Sequence, residues 1–169
     1  MEKKLKVIQT ARDTGTRLTA KPPVRCSKKI KENIPLIEIN NEEKYQKIIG
    51  FGGAFIEAAA YTLSQISAKK RKEILKKYFD PWEGIGYSMG RVHINSCDFS
   101  LENYSYVGSE DIELKTFDIS REKKWVLPVL KEAEKIAGQS LKLLASPWSP
   151  PAWMKSNQKM SHGGKLLPE

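Results

Sequence analysis

The sequence is poor in the residues that build metal and thiol sites. Its 169 residues include only two cysteines and two histidines. Cys26 and Cys97 stand far apart and outside any CxxC or other metal-ligand spacing, so the sequence predicts neither a metal site nor a disulfide. His93 and His162 do not accompany a GxSxG elbow, which argues against a Ser/His/Asp triad.

Long apolar runs are also missing. No stretch approaches the length of a transmembrane helix, and the basic residues of Met1–Val7 are not followed by the apolar segment of a signal peptide. These absences predict, by default, a cytoplasmic protein without stable membrane insertion. Gly50–Gly53 does not continue as a dinucleotide-binding GxGxxG loop, because Phe55 stands in place of the third glycine and no GK[ST] follows. No cofactor is expected.

Acidic residues are outnumbered by basic ones, 20 to 29, which gives a formal net charge of +9. Such an excess can indicate nucleic-acid binding. The densest basic cluster, Lys69–Lys72 with Lys76 and Lys77, nevertheless falls on the polar side of a predicted amphipathic helix. Without interleaved aromatic residues it is typical of a solvated helix face, so no nucleic-acid partner is expected.

The pattern of the chain changes near residue 47. Residues 1–46 are polar and irregular, with a break at Pro22-Pro23 and an alternating, strand-like segment at Pro35–Asn40. Strand-like and helix-like segments then alternate: strands are predicted at 47–55, 89–95 and 141–145, and helices at 57–65, 68–79 and 120–137. This alternation is typical of an α/β fold built from parallel βαβ units. Both faces of such a sheet are covered, and functional residues collect at the carboxyl ends of its strands.

Local signals refine the helix ends. Ser67 and Ser120 are predicted N-caps, because a serine oxygen can accept one of the free N–H groups of the first turn. Gly138 is a predicted C-terminal stop. Pro128 should kink the last helix or delay its start.

Ala145–Met154 contains three prolines and two tryptophans within ten residues, directly after the predicted third strand. Because proline fixes φ and lacks an N–H, this segment is expected to leave the sheet ladder as a stiff loop. Rigid indole rings at the end of a strand suit the apolar face of a sugar, but an isolated tryptophan is more often part of a core. Trp148 and Trp153 therefore have two interpretations, sugar platform and core packing.

Asp98 is the carboxylate that the sequence singles out. It lies between Cys97 and Phe99 at the end of a predicted strand, where it could accept hydrogen bonds from sugar hydroxyls, close an Asx turn or cap a helix. His93, in mid-strand, is interpreted as a hydrogen-bonded core histidine rather than a catalyst. Glu57 opens a helix, where the macrodipole already favours a carboxylate. No carboxylate pair suited to retaining glycoside hydrolysis can be assigned.

Three long motifs carry a resemblance to a known family. They are GFGGAFIEAAAYTLSQIS at Gly50–Ser67, GYSMGRVHINSCDFSLENYSY at Gly86–Tyr106 and LKLLASPWSPPAWMKSN at Leu141–Asn157. In this order they resemble the glucosylceramidase-like glycoside hydrolases of family 30, and His162–Glu169 resembles the continuation of the same family. The resemblance covers the chain from about Lys47 to its last residue.

The resemblance implies a (β/α)8 TIM barrel of which the first three βα units are present. It implies that residues 1–46 are the N-terminal segment of a β-rich side domain and that residues 47–169 are the first, incomplete part of the barrel. It also implies retaining hydrolysis of β-glucosides of the glucosylceramidase type. Asp98, Phe99 and Trp148 would line the subsite for the reacting sugar.

The family's two catalytic glutamates are expected beyond residue 169, because they follow the fourth and seventh strands of the barrel. Glu57, Glu102 and Glu169 do not match those positions, so no catalytic residue is assigned and the fragment alone is expected to be inactive. The expected partner is a β-glucoside or glucan. The alternatives are a β-1,6-glucanase of the same family and a non-catalytic carbohydrate-binding fragment; aglycone, linkage and oligomeric state stay open.

Overall fold

A computed structural model describes residues 4–26, 33 and 35–168. The chain divides into two compact units, Met1–Gln46 and Lys47–Glu169. Within the described ranges, no helix is long and apolar enough to cross a bilayer. The second unit holds the parallel sheet and the motif-bearing loops, so it positions the candidate site.

The first unit contains a two-stranded antiparallel sheet. β1 spans Lys4–Gln9 and β2 spans Thr19–Arg25. The predicted break at Pro22-Pro23 is wrong, since both prolines lie inside β2. The pairing register shifts between Leu5 and Val7, so the two prolines stand opposite a single residue in a β-bulge. An edge strand tolerates proline at a bulge because the missing N–H need not join the ladder.

Pro35–Asn40 forms no strand, contrary to the prediction from its alternating pattern. Its apolar side chains are exposed, and Ile37 is 86% exposed. Alternation predicts which side chains could share a face, but a strand also needs a neighbour that takes up its backbone N–H and C=O groups. None of the described strands pairs with this segment.

The second unit is an α/β layer built on a three-stranded parallel sheet in the order β3-β4-β5. Its elements are β3 (Gly52–Phe55), α1 (Glu57–Ser64), α2 (Ala68–Phe79), β4 (Met89–Ile94), α3 (Ser120–Lys124), α4 (Val126–Ala137), β5 (Lys142–Pro147) and a 3-10 turn (Ala152–Met154). The predicted strand at 47–55 is too long: residues 47–51 lie outside the ladder, although the Phe51 carbonyl accepts the Met89 N–H. Because the strands are parallel, their carboxyl ends form one edge of the sheet, called the carboxyl edge below.

The core of this unit lies between one face of the sheet and the helices. Phe55 of β3 stacks on Phe79 of α2, with ring centroids 5.5 Å apart. Leu75 from α2 and Val126 and Leu130 from α4 are buried in the same cluster. Full burial of such side chains stabilises a fold by about 1.5–3 kcal/mol each. The helices are therefore attached to the sheet mainly by apolar packing.

Two predicted helix ends are confirmed. The Ser67 side chain accepts the Lys70 N–H at 3.3 Å and caps α2. Gly138 follows α4 with φ of 68°, in the left-handed region that favours glycine. Both signals are local, so they do not depend on how the rest of the chain folds.

The last predicted helix is interrupted. α3 and α4 meet at Trp125, three residues before Pro128. A proline ring collides with the carbonyl four residues earlier, here that of Lys124, whereas its missing N–H costs nothing in a first turn. The predicted effect of Pro128 is confirmed. Ser120 is not an N-cap, because its hydroxyl donates to the carboxylate of Asp118 instead of accepting a helix N–H.

The two faces of the parallel sheet differ. Gly90 of β4 faces the core, where a Cβ would lie 2.6 Å from the Phe55 ring, so the close approach requires glycine. Arg91 and His93 alternate with it and belong to the opposite face. Arg91 and its neighbour Leu144 are exposed there. The expectation that both faces are covered is therefore wrong for the described residues, because their apolar core lies on the Phe55 face.

Candidate functional site

Trp148 stands at the carboxyl edge, directly after β5. Its N–H donates to the Ile94 carbonyl at 3.4 Å, so the ladder continues beyond Ala145, where the loop was predicted to leave it. In this register the N–H that donates across the ladder belongs to Trp148 and not to Pro147, so the missing N–H of the proline does not interrupt the pairing of the two strands. The indole is thereby fixed by the sheet and not by a free loop.

A cavity of about 90 Å³ lies beside this indole and is called the Trp148 cavity below. Asp98 and Phe99 line it from the loop after β4, and Arg91 and His93 line it from β4 itself. The structure therefore brings together all three residues that the sequence singled out for sugar binding, from two separate loops.

A second cavity continues the first one. It measures about 180 Å³ and shares Cys97, Asp98 and Trp148 with the Trp148 cavity, while Ser149 and Ser161 add hydroxyl groups. Trp148 also lines a third, more open cavity of about 400 Å³. The indole is thus the shared wall of a groove along the carboxyl edge.

Arg91 is a site residue that sequence reasoning missed. Its guanidinium lies 4.5 Å from the centroid of the Trp148 ring, which is a cation–π contact. The stacked guanidinium covers part of one indole face and holds the ring in a fixed orientation. A signal was available, since a charged residue between Gly90 and Val92 in the middle of an apolar strand is unusual.

The loop that carries Asp98 is closed by Ser100. The Cys97 N–H donates to the Ser100 hydroxyl, and the Ser100 N–H donates to the Cys97 carbonyl, both at 3.0 Å. The Asp98 side chain is exposed and takes no hydrogen bond from the described residues. The Asx-turn alternative therefore gains no support, and the carboxylate is available to a ligand.

A buried ion pair attaches this loop to the helices. Glu57 at the start of α1 is only 1% exposed, and both of its carboxylate oxygens accept from the guanidinium of Arg121. Its Oε2 also accepts the Leu101 N–H at 2.8 Å, and the Phe99 carbonyl accepts the Ala58 N–H at 3.1 Å. Glu57 is thus stabilised by Arg121, 64 positions later in the sequence, and not only by the helix macrodipole.

Arg121 connects further groups. Its guanidinium donates to Glu102 at 2.6 Å and lies 4.3 Å from the Tyr104 ring centroid. The Tyr104 hydroxyl donates to Oε1 of Glu122, whose Oε2 has no hydrogen-bond partner among the described residues. The hydrogen bond to Glu57 is the main cause that raises the pKa of Arg121. Burial raises the pKa of Tyr104 and of Tyr106, so both phenols stay protonated. Arg121 is a second residue that sequence reasoning missed.

His93 and Trp153 differ in their positions. His93 is 6% exposed, and its Nδ1 lies 2.7 Å from the Asn95 carbonyl oxygen, which agrees with the predicted hydrogen-bonded histidine. Trp153 lies in the 3-10 turn, half-buried, and lines none of the three cavities around Trp148. This placement favours the core interpretation for Trp153.

Among the described residues, Asp98 is the single carboxylate that lines these three cavities. Glu57 and Glu102 are both engaged by Arg121. No group of three or more His, Cys, Asp or Glu side chains within the described ranges could hold a metal ion. The lining of the groove therefore includes an aromatic wall, one carboxylate, serine residues and the basic residues Arg91 and Lys155.

A parallel α/β unit with its polar groups at the carboxyl edge is the arrangement that barrel enzymes use. The glycosyl hydrolase family 30 TIM-barrel domain matches residues 48–169, and the chain belongs to this family. The resemblance seen in the three motifs is thereby confirmed.

Known proteins similar to this chain include a lysosomal acid glucosylceramidase of Mus musculus, which is 36% identical over 133 residues, or 78% of this chain and 26% of that protein. Among solved structures, SrfJ from Salmonella typhimurium has 41% identity and a TM-score of 0.67 over 72% of this chain and 27% of its own. An endo-β1,6-glucanase, BT3312, has 38% identity and a TM-score of 0.62 over 69% of this chain and 25% of its own. The chain spans about a quarter of the length of these relatives.

Proposed function

We propose that this chain forms one wall of the sugar-binding site of a retaining glycoside hydrolase that acts on β-glucosides of the glucosylceramidase type. Asp98 accepts hydrogen bonds from hydroxyls of the reacting sugar, and Trp148 and Phe99 contact its ring. The observation that carries this proposal is the convergence of these three side chains on the Trp148 cavity, with the Asp98 carboxylate free of described partners.

The proposal extends to the fold. The parallel strands β3, β4 and β5 with their helices correspond to the first three βα units of a (β/α)8 barrel, and residues 1–46 to part of a β-rich side domain. The uncovered face around Arg91 and Leu144 supports this assignment, since the inner face of a barrel is covered by strands across the barrel axis.

The 169-residue chain alone is expected to bind but not to hydrolyse glucosides. Retaining hydrolysis needs two carboxyl groups about 5 Å apart, one nucleophile and one acid/base. The groove offers Asp98 alone among the described residues. Turnover of a β-glucoside by the purified chain, with retained anomeric configuration, would contradict this expectation.

A β-1,6-glucanase is the second candidate, favoured by the 38% identity to an endo-β1,6-glucanase over 69% of the chain. Both candidates share the contacts to the reacting sugar and differ in the group on the other side of the scissile bond. The basic residues of α2 give no comparable support to a nucleic-acid partner, since Arg71 is paired with Glu132 at 2.9 Å.

Titration of the isotope-labelled chain with methyl β-D-glucopyranoside, followed by NMR, tests the proposal. Asp98→Ala and Trp148→Ala are each expected to weaken binding by about tenfold or more, because each removes a principal contact. Trp82→Ala is the matched control, since Trp82 is exposed and lines none of the cavities around Trp148. Equal binding by the Trp148 and Trp82 variants would refute the assignment.

A further inference from the structure

The largest of the three cavities around Trp148 has a lining unlike that of the other two. It measures about 400 Å³ and is called the open cavity below. Its lining comes from residues 148–150 after β5 and from parts of the segment 155–166, called the 155–166 loop below. Asp98 lines the two smaller cavities but not this one. The open cavity therefore adjoins the proposed sugar site at Trp148 without its carboxylate.

Lys155 is a buried cation without an acidic partner. The residue is 7% exposed, and its Nζ donates to the Met160 carbonyl at 3.1 Å. An ammonium group has three hydrogens to donate, and no carboxylate among the described residues forms an ion pair with this one. Lysine is almost never buried unless it is paired, because its charge loses hydration without compensation. Of the cavities described above, the open cavity alone has Lys155 in its lining.

The 155–166 loop uses its own acceptors and leaves its donors free. Nδ2 of Asn157 donates to the carbonyls of the three residues 161–163 at 3.2, 3.3 and 3.1 Å. The preceding carbonyl, that of Met160, accepts from Lys155. In contrast, the backbone N–H groups of residues 160–164 donate to no acceptor among the described residues. The unused backbone groups of residues 160–163 are therefore donors.

Ser161 and His162 add a further donor, whichever of the two donates to the other. Ser161 Oγ lies 2.7 Å from His162 Nδ1. If the hydroxyl donates, the neutral imidazole carries its hydrogen on Nε2, and if Nδ1 donates, the hydroxyl hydrogen is free. Both residues line the open cavity and both are exposed, so a ligand can reach this pair.

The charge of the loop agrees with its hydrogen-bonding groups. Residues 155–166 include Lys155, Lys159 and Lys165 but neither aspartate nor glutamate, and the lining of the open cavity contains no carboxylate. A positive charge beside several donors favours a ligand that is negative and that only accepts hydrogen bonds. Carboxylate and phosphate groups have both properties, whereas a neutral polyol has no charge and a cation has the wrong sign.

We propose that the open cavity is an anion-binding subsite for a carboxylate or phosphate group. Lys155 supplies the positive charge, and the Ser161–His162 pair and the N–H groups of Gly163 and Gly164 donate hydrogen bonds to the oxyanion. As a statement about the substrate, this inference rests on the proposed function, because it gives the bound glycoside an anionic group next to the reacting sugar. Binding of a free oxyanion does not depend on the proposed function.

Titration of the 15N-labelled chain with sodium phosphate, at an ionic strength held constant with sodium chloride, tests the subsite by NMR. Saturable shifts are expected for the amide resonances of residues 160–164. Lys155→Met removes the charge but keeps an unbranched apolar stem, and it should weaken phosphate binding by about tenfold. Lys159→Met is the matched control and should change the affinity by less than about twofold, since Lys159 is exposed and lines none of the cavities around Trp148.

A second variant keeps the test valid if Lys155→Met does not fold. His162 has φ of 65°, which favours glycine, so His162→Gly removes the imidazole without straining the loop. It should weaken phosphate binding by about threefold or more. Sodium acetate in place of phosphate distinguishes the two ligands, since the tighter of the two anions identifies the group that the subsite prefers. The absence of saturable shifts with both anions, or equal weakening by Lys155→Met and Lys159→Met, would overturn the proposal.

The anion subsite and the proposed function fail separately. Saturation with methyl β-D-glucopyranoside should leave phosphate bound, whereas mutual displacement would place both ligands in one cavity and overturn the separate subsite. Glucoside binding that Trp148→Ala abolishes, without any phosphate-dependent shift at residues 160–164, refutes the subsite alone. Glucoside binding unaffected by Trp148→Ala refutes the proposed function, and the phosphate titration still decides the subsite.

Discussion

The helix side of the parallel sheet and its carboxyl edge bury residues by different means. On the helix side, the buried cluster is apolar and includes Phe55, Leu75 and Phe79. At the carboxyl edge, Glu57 and His93 are buried and polar. Apolar burial depends mainly on the area removed from water, whereas a buried polar group depends on a specific partner in a specific geometry.

This difference separates stability from positioning. The apolar cluster attaches helices to strands and would tolerate exchanges of similar size and shape. The polar network of Glu57, Arg121 and Tyr104 instead fixes the path of the loop that carries Asp98 and Phe99. The following changes test whether the two regions behave in these different ways.

Truncation in the apolar cluster is expected to have the largest effect on stability. Phe79→Ala should lower the free energy of unfolding by about 3–5 kcal/mol, because it removes a buried ring and leaves a cavity beneath Phe55. Phe51→Ala is the matched control, since Phe51 is exposed and should change stability by less than about 1 kcal/mol. Urea unfolding measures both, and similar losses in the two variants would show that the cluster is not the stabilising core.

Removal of Arg121 is expected to cost slightly less. Arg121→Ala should destabilise the fold by about 3 kcal/mol, because it leaves the carboxylate of Glu57 buried without its partner. Arg71→Ala breaks a more exposed pair with Glu132 and should cost less than about 1 kcal/mol.

The same pair of variants distinguishes positioning from stability. Arg121→Ala should also change the NMR resonances of Asp98 and Phe99, whereas Arg71→Ala should leave them in place. Equal urea midpoints for both variants, with undisturbed Asp98 and Phe99 resonances in Arg121→Ala, would remove the special role of the network.

The smallest effect is expected at an exposed turn outside both regions. Hydrogen bonds from the backbone N–H groups of Glu83 and Trp82 hold the pKa of Asp80 below its usual 3.8. A carboxyl group with a lowered pKa stabilises the fold above its unfolded-state pKa, and this contribution is lost as pH falls through the folded-state value. The wild type should therefore lose more stability than Asp80→Asn between about pH 5 and pH 2.

Asp13→Asn is the control for this turn, because the Asp13 carboxylate accepts no backbone hydrogen bond from the described residues. Urea unfolding at several pH values gives the comparison. Parallel pH profiles for the wild type and Asp80→Asn would contradict the expectation.

The sequence predicted what local patterns control. The helices at 57–65 and 68–79, the cap at Ser67 and the stop at Gly138 follow from spacing and residue type. The strand predicted at Pro35–Asn40 failed because alternation does not supply a pairing neighbour. Ser120 failed as a cap because its hydroxyl donates to the Asp118 carboxylate and accepts no helix N–H.

The candidate site was predicted in part for a related reason. Asp98, Phe99 and Trp148 belong to long motifs, so the sequence could single them out. Arg91 and Arg121 act through partners that are distant along the chain, and only the folded arrangement shows those contacts.

The location of the bound sugar tests the central claim most directly. Intermolecular nuclear Overhauser effects should be measured between methyl β-D-glucopyranoside and the side-chain protons of the labelled 169-residue chain. The proposed function predicts contacts to the Trp148 indole and the Phe99 ring. Contacts to Trp82 or to the α2 side chains, with none to Trp148 or Phe99, would contradict it.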